Sequence, residues 1–73
     1  ETEGQKETYI KYRRGIVKGR MLDAFLDGNE NEALKIMKAW NNAYPQEYFN
    51  YEDYGADALY NRRMKKEQKR MNP

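Results

Sequence analysis

Asp27-Gly28-Asn29-Glu30-Asn31-Glu32-Ala33-Leu34-Lys35-Ile36-Met37 ends one amphipathic helix and begins another within a few residues. Gly28 can take the left-handed conformation that closes a helix, and Asn29 or Asn31 offers a side-chain oxygen to the free N–H groups of the next one. The stretch therefore reads as the elbow of a helical hairpin. The fold class follows: all-α, a hairpin plus a third helix and a basic C-terminal extension.

Upstream of the elbow, a first helix is expected from about residue 7 to 26. Ile10, Val17, Met21 and Phe25 recur there at spacings of seven, four and four, flanked by Leu22 and Leu26. This is one apolar stripe on a 3.6-residue period. Gly15 and Gly19 lie inside it, each less favourable than Ala by about 1 kcal/mol in a helix interior. Either a neighbouring helix approaches closely at that point, or the helix is weak or kinked around Gly15.

Downstream, a second helix over roughly 30 to 43 places Ala33, Met37, Trp40 and Tyr44 on one face, with Leu34 and Ile36 at its edges, and stops at Pro45. Gln46-Glu47-Tyr48-Phe49-Asn50 reads as a loop pinned by aromatic rings. Asn50 then caps a third helix, with Glu52 and Asp53 in the first turn where the helix dipole favours acids. Tyr51, Tyr54 and Ala58, with Leu59 and Met64, are expected to face inward. Past Tyr60 the run Arg62-Arg63-Met64-Lys65-Lys66-Glu67-Gln68-Lys69-Arg70 suits a helix C-terminus by charge but has too little apolar content to anchor itself. The chain divides on this reading into a flexible segment 1–6, a small helical domain 7–64 and a basic tail 65–73, with Arg70-Met71-Asn72-Pro73 frayed.

At 73 residues, one small core is possible, and a core of this size contributes only about 3–5 kcal/mol without staples. The chain has no cysteine and no histidine. Disulfides and the usual zinc, haem and iron–sulfur sites therefore have no ligands, and only carboxylates are left for a metal. Charged residues make up 36% and hydrophobic ones 38%, which is lean for a self-sufficient fold and leaves dependence on a partner open. No apolar run approaches the roughly 20 residues of a membrane span, and Glu1-Thr2-Glu3-Gly4 lacks the character of a signal peptide, so a soluble segment is expected.

The formal net charge of +2 conceals a segregation. Residues 6 to 20 carry Lys6, Lys11, Arg13, Arg14, Lys18 and Arg20 against Glu7, a block of +5. Residues 21 to 61 carry Lys35 and Lys38 against eight acids, a block of −6, and residues 62 to 73 carry six bases against Glu67, again +5. The order is basic, acidic, basic.

Candidate chemistry is sparse. Asp53 and Asp57 lie one turn apart beside Glu52 and could present paired carboxylates to a divalent cation, although acids at a helix start more commonly form a solvated face. A hydroxyl nucleophile would need a lysine base, and Thr2 and Thr8 are the only such hydroxyls. The chain is therefore read as not an enzyme. The seven tyrosines, Tyr9, Tyr12, Tyr44, Tyr48, Tyr51, Tyr54 and Tyr60, fit closure of a thin core better than a stacking surface for single-stranded nucleic acid. Arg13, Arg14, Lys18 and Arg20, interleaved with Tyr9 and Tyr12, join the tail residues Arg62, Arg63, Lys65 and Lys66 as candidates for sequence-independent phosphate contact. Against that reading, the acidic middle can neutralise a basic block, and charge runs often meet a partner's acids.

The string Arg14-Gly15-Ile16-Val17-Lys18-Gly19-Arg20-Met21-Leu22-Asp23-Ala24-Phe25-Leu26-Asp27-Gly28-Asn29, followed by Glu32-Ala33, Ala39-Trp40-Asn41 and Tyr44-Pro45, resembles a helical module near the ends of very large phage and prophage proteins. These are the polyvalent, virion-associated proteins that travel in the particle and enter the host with the genome. The resemblance covers roughly residues 13 to 63. It implies a non-enzymatic structural or ejection-related role in a bacteriophage virion, or in the bacterial host cytoplasm after delivery, with other virion proteins or a larger parent chain as partners and with no catalytic residue to carry over. Gly28, Asn29, Glu32, Ala33, Leu34 and Pro45 also resemble a single tetratricopeptide-type helix pair, but one copy without an internal repeat argues against a solenoid.

The leading expectation is thus a protein–protein docking module without a cofactor. Its stripe of Val17, Met21, Phe25, Met37 and Trp40 serves as core or partner-binding surface, with Trp40 as anchor. A basic nucleic-acid accessory segment is the alternative of a different class, and a small phage-encoded regulator of a host enzyme is a third.

Overall fold

The computed structural model describes residues 2–71. In chain order these form α1 (Glu3–Leu26), α2 (Glu30–Ala43), a 3₁₀ turn (Pro45–Glu47), the single-turn α3 (Tyr51–Tyr54) and α4 (Ala56–Met71). The architecture is all-α, a hairpin with a further long helix packed against its first arm.

At the elbow, Gly28 takes φ +79°. Its N–H donates to the Phe25 carbonyl at 3.1 Å, and the Asn29 N–H donates to the Ala24 carbonyl at 2.8 Å. This pair of bonds is a Schellman closure, which satisfies two of the carbonyls a helix end otherwise leaves open. Asn29 rather than Asn31 caps α2, its side chain accepting from the Glu32 N–H. Two helices thereby reverse direction with no residue wasted between them.

The facing stripes meet in a core built from Met21, Ala33, Trp40 and Phe49, all buried, with Ile10, Val17, Ala24, Phe25, Ile36, Met37, Tyr44 and Tyr54 half-buried around them. All five residues of the anticipated stripe lie in or against this core: Met21 and Trp40 inside, Val17, Phe25 and Met37 at its edge. They are therefore used within the chain. The Trp40 indole, 5% exposed, packs between Tyr44 at 4.3 Å and Phe49 at 5.7 Å between ring centroids. Its N–H donates to the Glu47 carbonyl at 2.8 Å, so the ring is buried without an unpaired polar atom. The Asn41 side chain accepts from the Phe49 N–H at 2.7 Å. Phe49 is the ring that pins the loop.

Four expectations are corrected. Helix α1 begins at Glu3 rather than near residue 7, because Thr2 and Gln5 form a capping box: the Thr2 hydroxyl accepts from the Gln5 N–H, and the Gln5 side chain accepts from the Thr2 N–H. The third helix is not continuous. Asn50 and Asp53 form a second capping box and start α3, but Gly55 is extended (φ −74°, ψ −175°) and ends it after one turn. A Cβ at Gly55 would lie 2.9 Å from the Tyr51 carbonyl oxygen, so the break requires glycine. Tyr51, expected to face inward, is 71% exposed. The anticipated tail boundary at residue 65 falls inside α4, which runs on to Met71, while Glu1, Asn72 and Pro73 lie outside the described residues. Finally, only Tyr44 and Tyr54 pack against the core; Tyr9, Tyr12, Tyr48, Tyr51 and Tyr60 are on the surface. Phe49, from the loop, takes the place beside Trp40 in the buried cluster.

Candidate docking surface

The basic, acidic, basic order resolves into two clamps. In the first, Arg14 of α1 grips Asp53 of α3 with both terminal nitrogens, at 3.3 and 2.7 Å. The same guanidinium donates to the Glu47 carbonyl at 2.9 Å through Nε and to the Tyr48 carbonyl at 3.0 Å, and it lies 4.7 Å over the Phe49 ring. Lys18, one turn along α1, approaches the second Asp53 oxygen at 3.4 Å. Burial pushes the Asp53 carboxyl upward, and the Arg14 guanidinium, the Asn50 amide and the Lys18 charge more than offset it, so the group sits below the ordinary carboxylate range. Asp53 is the buried charge of the described fold, and its oxygens are taken. It is thus not held with Asp57 as a cation-binding pair.

The second clamp joins α1 to α4. Arg62 contacts Asp23 in a two-pronged arrangement at 2.8 and 3.0 Å, and Lys66, one turn on, reaches the same carboxylate at 3.3 Å. The Arg62 hydrogen bond pulls the Asp23 carboxyl below its usual range against an opposing effect of burial, and Asp23 in turn raises the Arg62 guanidinium. Arg62 lies against Gly19, where a Cβ would stand 3.2 Å from one of its nitrogens. Gly15 has open space where its Cβ would be. Helix α1 is nonetheless unbroken through both glycines, so close approach occurs at Gly19 alone, and by a side chain rather than a second backbone.

Of the eight bases anticipated to contact phosphate, Arg14, Lys18, Arg62 and Lys66 are committed to Asp53 and Asp23. Arg13, Arg20, Arg63 and Lys65 are exposed and form no ion pair among the described residues. The structure therefore splits the sequence-level basic cluster in two. Between Gly15 and Gly19 on one side and Asp57, Asn61 and Lys65 on the other, an open groove of about 380 Å³ runs along α1 and α4 with both charges on its walls.

The uncovered apolar surface lies elsewhere. Tyr9, Tyr12 and Ile16, at positions i, i+3 and i+7 of α1, share the helix face turned away from Val17 and Met21. They are 60%, 67% and 36% exposed. Periodicity alone missed this row, because the stronger stripe of Ile10, Val17, Met21 and Phe25 on the same helix defines its inner face; the signal that was available is the second i, i+3, i+7 series. No helix is long and apolar enough to cross a membrane among the described residues. No protein-family model, curated protein or solved structure matches the chain.

Proposed function

We propose that this chain is a non-enzymatic docking module that binds another protein through the outward face of α1. The supporting observation is the row Tyr9, Tyr12 and Ile16, which remains uncovered while the separate stripe of Ile10, Val17, Met21 and Phe25 on the same helix is used for the core. Tyrosine favours such a role because its ring supplies contact area at small entropic loss while its hydroxyl stays wet. The first ten residues of α1 after Thr2 include only one side chain, Ile10, that reaches the core. A helical end of that kind has little to hold it by itself and gains from being covered.

The alternative of nucleic-acid contact loses half of its bases to the internal clamps; the docking reading gives up Val17, Met21, Phe25, Met37 and Trp40 to the core and rests instead on the uncovered row Tyr9, Tyr12 and Ile16. The setting proposed is an assembly inside a phage particle, or the bacterial host cytoplasm after delivery. That setting rests on the resemblance of residues 13 to 63, and a role as a regulator of a host enzyme would use the same surface.

A photoreactive residue in place of Tyr12 tests the reading in the native source. A protein adduct is expected there, no equivalent adduct from Lys38 on the opposite arm, and loss of the adduct when Tyr9 and Ile16 are both changed to Ser. Adducts to nucleic acid alone would replace this reading with the alternative.

A further inference from the structure

Heptad positions along α1 show what kind of partner that face fits. With Tyr9 and Ile16 placed at a, Tyr12 falls at d, and the next positions of the same seam are Gly19 at d, Asp23 at a and Leu26 at d. The C-terminal half of this seam is already occupied by the chain itself: Arg62 lies over Gly19, Arg62 and Lys66 hold Asp23, and Arg63, Lys66 and Glu67 line the surface beside Leu26. The N-terminal half continues the row with no helix against it. At the e positions stand Lys6 and Arg13, beside the open half, and Arg20 at its border with the occupied half, spaced seven apart, exposed and in no ion pair among the described residues.

Seven-residue spacing puts these cations about 10.5 Å apart along the axis, the repeat on which a second helix presents its own flanking side chains. We propose that the N-terminal half of α1 pairs side by side with an α-helix of another protein that carries carboxylates opposite Lys6, Arg13 and Arg20. This rests on the docking reading and adds the partner's chemistry to it. A second copy of this chain does not satisfy the face. In an antiparallel pair the e positions would oppose one another, base against base; in a parallel pair they would meet the g positions Thr8, Gly15 and Leu22, which hold no acid. Charge at these flanks selects the partner, and the short apolar seam supplies the contact. The internal precedent has the opposite polarity: α1 contributes the acid, Asp23, and α4 the bases.

The test uses two lactam-bridged helical peptides with leucine at a and d, one with glutamate at e and g and its twin with lysine, titrated against the intact chain by fluorescence anisotropy. The glutamate peptide is expected to bind about tenfold or more tightly than the lysine peptide at low salt, and the Arg13→Glu, Arg20→Glu double variant to reverse the order. The Arg63→Glu, Lys65→Glu variant is expected to leave the preference in place. Equal binding of both peptides, no binding of either, or a preference untouched by reversal at Arg13 and Arg20 overturns the inference. The Tyr12 adduct separates the two readings: if it persists but its cross-linked segment is basic or non-helical, the acidic-helix partner fails while docking stands; if it is absent, both fail.

Discussion

Two arginine–aspartate pairs join α1 to residues 39 positions away, and they have different structural consequences. Both are two-pronged and both are reinforced by a lysine one turn along the helix from the arginine. Asp53 is 12% exposed at its side chain, whereas Asp23 and Arg62 are each 32% exposed. Arg14 also satisfies the Glu47 and Tyr48 carbonyls and covers Phe49, so it organises the loop that closes over the core. Arg62 hydrogen-bonds to Asp23 and lies over the bare backbone at Gly19, and it holds no loop carbonyl among the described residues. A surface ion pair is weak because water screens it and two long side chains must be held still. A pair whose loss leaves a carbonyl without its donor and a buried carboxylate short of its main partner is consequential for a different reason, the desolvation of what remains.

The most severe way to break the inner site is at the ring that shares the Glu47 carbonyl with Arg14. Trp40→Ala should destabilise by about 3–5 kcal/mol, comparable to the whole stability of a domain this small. Circular dichroism should then show helicity largely lost at room temperature, and helicity and melting like the parent's would refute the core.

Next in size, Arg14→Met keeps an unbranched apolar side chain beside Phe49 and removes the hydrogen bonds that Arg14 makes to the Glu47 and Tyr48 carbonyls and to Asp53. It should lower stability by about 2–4 kcal/mol, read by urea denaturation. Arg62→Met should lower it by only about 0.5–1 kcal/mol, with the smaller effect further reduced by added salt. If the two variants lose equal amounts, exposure is not what separates the clamps.

Acid provides a second comparison. Both aspartates titrate below their ordinary value in the folded chain. Each therefore contributes stability that is fully present above the unfolded carboxyl pKa of about 3.9 and is lost as pH falls through the lower folded value. Melting temperature should be flat near neutrality and fall on acidification below about pH 4. Asp53→Asn should be less stable than the parent at neutral pH and fall less on acidification, and Asp23→Asn should do the same to a smaller extent. A parent that keeps its full melting temperature under those acid conditions would contradict both clamps.

The difference between the clamps also explains what could be read before the structure was known. Gly28, Asn29, Asn50 and the stripe through Met21 and Trp40 act on neighbours three or four residues away, and such local signals are visible in sequence. The segregation of charge was visible too, but its resolution into Arg14 with Asp53 and Arg62 with Asp23 was not, since nothing local relates residues so far apart. Gly55 was read through because no turn signature surrounds it, while the lack of room for a Cβ beside the Tyr51 carbonyl and ring is visible only in the folded chain. The outer row Tyr9, Tyr12 and Ile16 was overlooked because aromatic residues in so small a chain are expected to serve the core, and Phe49, from a loop, fills that place instead.

The smallest effect tests the point where the outer clamp meets the backbone. Gly15 and Gly19 occupy the same helix one turn apart, and both give up intrinsic helix stability. Added methyl groups meet empty space at Gly15 and the Arg62 guanidinium at 3.2 Å at Gly19. Gly15→Ala should therefore stabilise the chain by about 0.5–1 kcal/mol. Gly19→Ala gains the same propensity but forces the end of a flexible side chain to shift, weakening its bonds to Asp23, so its net effect should be close to zero. The discriminating measurement is the pair of alanine variants in the Arg62→Met background. If the guanidinium is what Gly19 accommodates, its absence should let Gly19→Ala recover more of the expected gain while leaving Gly15→Ala unchanged. Equal gains at both glycines in the parent would mean that Arg62 does not rest on α1 at Gly19.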